Sequence, residues 1–479
     1  MGQEIGQSQF RDEDLRIFKL KLKEETELLE KWFENDSFQY EKPMCGVELE
    51  AWIVDGEGKP SASNEELLSK INDPKFVTEI SKFNFEINSD PHDIDDKFLA
   101  NLEQELHGLW TKGQDSAEAL GKNIAAVGTL PTISENELTL ANMTSSQRYL
   151  ALNDQVMSLR DERPIELWIS GREDEIKMNR PDIMTEAAAT SLQVHLLVDP
   201  KKSVRFYNAC QIISAPMVAL TANSPYLFKK GLWDETRLAV FEKSVELDCF
   251  TARDGTKITR VTYGADYLKD SLFELFQENL DKFPVLLPVL HKDDTNWLSH
   301  LRLHNGNVWR WNRPIIGLDD KARPHLRIEH RVNSAGPSII DIVSNVALFL
   351  GLTHYYANLE MAPEKMLSFQ DTRLNFYHCS KTGLETEVKW TDGKYWNVRE
   401  LLLEKLIPQA KLGLESLGIG ASAIKTYLED VIQKRAESGQ NGAAWQRSYI
   451  QKHGRDFEKM LLQYVENQKK GSPVHSWKI

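Results

Sequence analysis

The sequence predicts an α+β protein built on one curved, largely antiparallel sheet whose polar face lines a cavity and whose flanks are helices. Three observations lead there. Four short stretches alternate apolar and polar residues with a period of two, as half-buried antiparallel strands do. Their polar positions carry acids, amides, His and Arg but no lysine, whereas solvated strand faces usually mix in Lys, Thr and Ser. Long segments with helical apolar spacing interleave with them.

Taken in order, residues 12–35 place Leu15, Phe18, Leu22, Leu29, Trp32 and Phe33 at helical spacing, which predicts a helix packed on the core. Residues 45–54 read as a strand with Glu48, Glu50 and Trp52 on one face and Val47, Leu49, Ala51 and Ile53 on the other. Asp55-Gly56-Glu57-Gly58-Lys59-Pro60 is a hairpin turn signal. Phe83–Asn88 puts Asn84, Glu86 and Asn88 on one side, and residues 97–125 read as a long helix. Leu192–Leu197 pairs Gln193 with His195 on one face. Residues 205–245 read as mostly helical with an interruption at Asn223-Ser224-Pro225. Asn305-Gly306 signals a hairpin ahead of Val308–Arg313. Arg327-Ile328-Glu329-His330-Arg331-Val332 then places Arg327, Glu329 and Arg331 together, opposite Ile328 and Val332. Pro337 suits the start of an apolar helix over 339–352, and residues 397–437 and 445–470 read as amphipathic helices. No linker or repeat divides the chain. The expected organisation is a helical extension (1–40), a catalytic core (41–390) and a C-terminal helical section packed on it (391–479).

The bulk numbers exclude several classes. Lys+Arg 58 against Asp+Glu 72 gives a formal net charge of −14, which argues against nonspecific nucleic-acid binding and against an anionic membrane surface. No apolar run in the sequence reads as membrane-spanning, and Met1-Gly2-Gln3-Glu4 opens no secretory leader. Four scattered cysteines (Cys45, Cys210, Cys249, Cys379) form no CxxC, so neither a zinc site nor a disulfide framework is expected and a reducing cytoplasm is the expected home. No phosphate-loop motif G-x-x-x-x-G-K-[ST] is present.

A shared polar face brings Glu48, Glu50, Glu86 and Glu329 together. Like charges a few ångströms apart repel by roughly 1–4 kcal/mol per pair. Divalent cations remove that repulsion, and oxygen ligands with one histidine suit Mg²⁺ or Mn²⁺ better than Zn²⁺. Arg327 and Arg331 beside the acids point to an anionic ligand, a nucleotide phosphate or a carboxylate, gripped by the planar guanidinium fork. His330 falls on the apolar face and reads as a core histidine. Trp309 and Trp311 fit core packing or a base-stacking role, and the roles of Arg148, Arg310 and Arg313 stay open.

These strands, in this order, resemble the glutamate–cysteine ligase family, in particular its bacterial carboxylate–amine ligase group. The matching stretches are Gly46-Val47-Glu48-Leu49-Glu50, Phe85-Glu86-Ile87-Asn88, Ser191-Leu192-Gln193-Val194-His195, Ala222-Asn223-Ser224-Pro225 and Arg327-Ile328-Glu329-His330-Arg331. Gln147-Arg148-Tyr149 and Gly442-Ala443-Ala444-Trp445-Gln446 match more weakly, and the likeness runs from about residue 44 to about 450. The resemblance implies a glutamine-synthetase-like funnel that binds ATP and two or three divalent metals, and a reaction that activates a carboxylate as an acyl phosphate before an amine attacks. It assigns Glu48, Glu50, Glu86, His195 and Glu329 as metal ligands, Gln193, His195, Arg327 and Arg331 to the nucleotide, and Glu329, Arg331 and Arg237 to catalysis. It implies small-molecule partners, amino acids and ATP, with glutamate as acid and cysteine as amine. Three other readings stay open: the same chemistry on a different acid or amine, phosphate transfer to a guanidino group (whose cysteine signature is missing), and a nucleotide-binding regulator without activity. The oligomeric state is not legible.

Overall fold

The computed structural model describes residues 5–319 and 321–479, so the reading of Met1–Glu4 lies outside the described residues. The chain folds as an α+β structure around a strongly curled antiparallel half-barrel sheet. Its eight strands are β1 (Met44–Asp55), β2 (Phe76–Thr78), β3 (Asn84–Asn88), β4 (His92–Asp93), β5 (Lys122–Ala125), β6 (Ser191–Leu197), β7 (Asn312–Leu318) and β8 (Pro324–Ser334). The order across the sheet is β7-β8-β6-β1-β3-β2, with β4 and β5 also pairing β1.

Register decides which side chains meet. Glu48 of β1 lies opposite Asn88 of β3 and Gln193 of β6, and Glu50 lies opposite Glu86. His195 of β6 lies opposite Gly46 on one side and Glu329 of β8 on the other. Glu329 in turn faces Arg313 of β7. The polar positions of five strands therefore share one face. A bulge between His330 and Asn333 breaks the β8–β6 ladder at Arg331, and such irregularities re-aim a side chain.

The opposite face is dry. Leu49, Ile87, Val194 and Ile328 are fully buried there, with the helices Ser203–Thr221 and Ile339–Ala357 among the elements that pack behind the sheet. His330 is part of this layer: its ring stacks on Phe349 at 4.4 Å between centroids and its Nδ1 meets Asn312 Oδ1 at 2.7 Å. Ile339–Ala357 is in fact long and apolar enough to cross a membrane, against the expectation that no such segment exists; most of it is buried inside this fold as a core helix.

Two local expectations are corrected. Asn305-Gly306 makes no hairpin; it ends the helix Ser299–Gly306, and the Asn305 amide donates to the Pro314 carbonyl at 2.8 Å. The helix expected over 97–125 stops at Glu118, because Gly121 adopts φ +70° and the chain returns to the sheet as β5. The turn after β1 forms as expected, with Asp55 N donating to Lys59 O at 2.9 Å.

The N-terminal helix Asp12–Glu34 packs Phe18, Leu22 and Leu29 into the core and is also held by a buried polar contact. Glu25 accepts from Leu301 N at 2.7 Å and meets His300 Nδ1 at 2.6 Å. At the other end of the chain, Gln446 donates to Asn223 Oδ1 at 2.9 Å, and Asn223 donates to Ala335 O and to Tyr464 Oη at 2.7 Å. This buried network ties the C-terminal helices Gly442–His453 and Phe457–Lys469 to the segment that follows β8. It gives Ala222–Pro225 and Gly442–Gln446 a structural role behind the sheet.

Candidate active site

The polar face carries two carboxylate groupings. In the first, ligand-type atoms of Glu48, His195 and Glu329 all lie within 4.8 Å of one another; in the second, those of Glu50, Glu79 and Glu86 do. Opposite oxygens around an octahedral Mg²⁺ stand about 4.2 Å apart, so modest side-chain adjustment closes either set on a cation. His195 Nε2 sits 3.1 Å from Glu48 Oε1 and 3.7 Å from Glu329 Oε1, yet among the described residues neither ring nitrogen makes a hydrogen bond. A buried imidazole without a bond on either nitrogen, flanked by two carboxylates, fits a metal ligand. Glu50 is oriented by its neighbours: Ser191 N donates at 2.7 Å, Ser191 Oγ at 3.1 Å and Gln193 Nε2 at 2.8 Å. Asn88 Nδ2 holds Glu86 Oε1 at 3.0 Å.

Arginines frame the first grouping. Arg313 grips Glu329 bidentately, and Arg331 Nη1 reaches Glu329 Oε2 at 3.0 Å and also Gln193 Oε1. Among the described residues, Nε of Arg331 and Nε of Arg327 are buried without a partner. Arg327 lies close enough that the charges of Glu48 and Glu329 act on it.

The electrostatics divide the acids in two. Burial works to raise the Glu329 carboxyl, but Arg313, Arg331 and His195 outweigh it and hold it well below the usual range. Burial is likewise overcome at Glu48, chiefly by His195, and that carboxyl is also lowered. At Glu86, burial and the charges of Glu48, Glu79 and Glu50 push the carboxyl well up; at Glu79, burial with Glu50 and Glu186 does the same. Glu186 is raised to about 8 by burial and Glu50, against Arg331. Glu50 is raised by burial in spite of Arg331. One side of the cavity is thus a Glu–Arg–His cluster whose carboxyls are held low, and the other is a set of carboxyls raised by burial and, at Glu79, Glu86 and Glu186, by neighbouring acids.

The structure brings Glu48, Glu50, Glu86, Gln193, His195, Arg327, Glu329 and Arg331 onto one face. It corrects the reading of Arg237 as a phosphate or substrate contact. That side chain is 3% exposed, pairs with Glu235 at 2.7 Å, and donates to the carbonyls of Arg331 at 3.4 Å and Val332 at 2.5 Å. It braces the backbone at the bulge, and only its charge reaches the site, at Glu50. Trp311 is buried in the aromatic packing with Phe241 and Phe376, and Arg310 turns away to Glu278 at 2.6 Å. Arg313, left open by the sequence, belongs to the site.

Sequence reasoning missed Glu79 and Glu186. Val77 pairs with Glu86, so Glu79, two residues on, continues the same face one residue past the end of β2. At three residues, β2 is too short for a period-two pattern to show in the sequence. Glu186 sits in the 3₁₀ turn Met184–Ala188, where no periodicity exists to read. Arg148, at the start of the helix Gln147–Leu159, lowers the Glu79 carboxyl and so lies near this acid group.

Comparison with known proteins gives both the class, the carboxylate–amine ligases, and the family. Residues 44–464 match the model of Glutamate-cysteine ligase family 2 (GCS2), and the chain belongs to that family. It is an ATP-dependent, carbon–nitrogen bond-forming ligase. Among solved structures, the glutamate–cysteine ligase of Francisella tularensis, determined in complex with AMP, aligns over 92% of this chain and 90% of its own at 12% identity and a TM-score of 0.54. The bifunctional glutathione synthetase of Pasteurella multocida aligns over 92% of this chain and 55% of its own at 11% identity and a TM-score of 0.50. At such identities these structures share the fold. Comparison with curated protein sequences gives no significant match.

Proposed function

We propose that this protein joins glutamate to cysteine through an amide bond, with ATP activating the glutamate side-chain carboxylate as an acyl phosphate. The observation that carries the reading is the pair of acid groupings on one sheet face, with Arg313 and Arg331 clamped on the acid they share. Glu48, His195 and Glu329 would hold one Mg²⁺ or Mn²⁺, and Glu50, Glu79 and Glu86 a second. Such cations neutralise nucleotide charge and position the transferring phosphoryl group. The protein's own groups do the rest. Arg331, with Nε unpartnered, is placed to stabilise negative charge that develops during transfer, and Arg327 Nε offers a second donor. Gln193 and Ser191 orient Glu50, and Arg313 orients Glu329, so only modest side-chain adjustment is needed when ligands arrive. The curled sheet shelters the reactive acyl phosphate from water.

Hydroxylamine tests the reading, since it is small and nucleophilic enough to replace the natural amine. With ATP, Mg²⁺ and glutamate, the protein should yield the γ-hydroxamate, ADP and phosphate. AMP and pyrophosphate would mean adenylation and would refute the acyl-phosphate route. A panel of acids and amines in the same assay ranks glutamate and cysteine against their competitors, and no turnover with any of them would leave a nucleotide-binding regulator as the better reading.

A further inference from the structure

A cavity of about 420 Å³ lies beside the sheet and shares no lining residue with the carboxylate groupings. Its walls include Glu242, Thr262, Tyr263, Arg373 and Tyr377. The charges at its rim cancel in pairs: Lys243 with Glu246 at 2.6 Å and Lys257 with Asp248 at 2.8 Å. Two groups remain. Arg373 gives Nη2 to Asp254 at 2.8 Å, while its Nη1 is buried with no partner among the described residues. Glu242 accepts from Trp311 Nε1 at 2.9 Å and Tyr377 Oη at 2.8 Å, both at Oε1, and among the described residues nothing bonds Oε2. Arg373 and Tyr377 are one turn apart on the helix Phe369–Thr382, and both line the cavity together with the Tyr377-bound Glu242. An unpaired guanidinium N–H and a free carboxylate oxygen lining one cavity suit a small molecule that carries a carboxylate and an ammonium side by side.

We propose that this cavity is a second amino-acid site, which binds the zwitterionic backbone of a free α-amino acid with its carboxylate on Arg373 and its ammonium on Glu242. The site touches the catalytic face through its wall. Trp311, held by Glu242, accepts the Arg331 N–H at its carbonyl at 2.9 Å, and Phe241 lies under the Arg331 guanidinium at 5.9 Å. The binding claim stands apart from the ligase reading, because it needs no turnover.

Titration calorimetry on the full chain tests it with glycine, L-glutamate and L-cysteine, and with propionate and propylamine as single-charge probes. At least one amino acid should bind, with each single-charge probe weaker by roughly tenfold or more. Arg373→Gln and Glu242→Gln should each weaken that amino acid by roughly tenfold or more, while Arg331→Met, in the carboxylate face, leaves this event in place. Arg373→Lys keeps a cation for Asp254 and guards against a folding artefact; it should retain part of the affinity, with an unchanged melting temperature. No binding of any of the three amino acids to the wild type overturns the proposal. So does binding that survives both cavity substitutions, or binding lost only in Arg331→Met.

Discussion

Arg313 and Glu329 meet head-on across neighbouring strands: Nε lies 2.8 Å from Oε2 and Nη2 lies 2.8 Å from Oε1. They are directly paired in register, Glu329 is 1% exposed, and Arg313 also donates to the Gly306 carbonyl at 3.0 Å. A buried carboxylate so held has one orientation. Arg313→Lys keeps the charge and loses the fork. The expected result is a destabilisation of about 1–3 kcal/mol, read from urea unfolding, with a smaller gain in melting temperature on adding Mg²⁺. A variant as stable and as Mg²⁺-responsive as the wild type would show that the fork orients nothing.

Arg331 differs from Arg313 in having a donor to spare. Its Nη1 serves Glu329 and Gln193, and its buried Nε has no partner among the described residues. Arg331→Lys is therefore expected to lower kcat by roughly tenfold or more with a lesser change in KM, because the missing contact strengthens as charge develops. A change confined to KM would place Arg331 in ground-state binding only.

How far the sequence carried this reading is visible residue by residue. Glu48, Glu50, Glu86, Gln193, His195 and Glu329 sit inside regular strands, where alternation alone assigns the face, and the structure puts them on one. Arg313 was undecidable because its role depends on which strand lies beside β8, and register is not written in one strand's pattern. Glu186 comes from a turn, and Arg237 was misplaced because its helix directs it at backbone carbonyls that only the bulge at Arg331 makes available. Asn305-Gly306 misled because the same dipeptide can close a helix, and here the Asn305 side chain serves tertiary contacts with Pro314 and Asn279. Local chemistry was legible, whereas anything that needs two distant segments to meet was not.

The second acid grouping predicts proton release. Burial and mutual repulsion raise the Glu79 and Glu86 carboxyls well above their ordinary range, and a cation requires both ionised. Mg²⁺ binding should liberate protons near neutral pH, and its affinity should rise with pH. Calorimetry in buffers of different ionisation heat measures the number released. Glu86→Gln should reduce that number, weaken Mg²⁺, and leave the metal-free protein at least as stable as the wild type, since a source of repulsion is gone. A heat of binding that is the same in every buffer would remove these acids from the metal site.

The acid limb of stability is expected to depend on His304, away from the catalytic face. Its ring is buried, its Nε2 donates to the Asn279 carbonyl at 3.0 Å, and Arg260 and Arg310 are the cations nearby. Burial lowers its pKa to about 4; the Asn279 bond opposes that shift, and the two arginines add to it. In the unfolded chain the same ring titrates near its ordinary value of about 6.5. Above that pH both states are neutral at this ring and its contribution is fully present. As pH falls from about 6.5 toward 4, the unfolded chain takes up a proton that the folded protein refuses, so stability declines by up to ~3 kcal/mol. The raised carboxyls Glu79, Glu86 and Glu186 have the opposite slope, since the folded protein holds protons there that the unfolded chain has lost. A difference between two proteins cancels that background. His304→Gln removes the titrating ring, so the gap in unfolding free energy between wild type and variant should narrow as pH falls from 7 to 4.5 in urea titrations. A gap that stays constant across that range would mean that His304 takes up its proton in the folded state as readily as in the unfolded one.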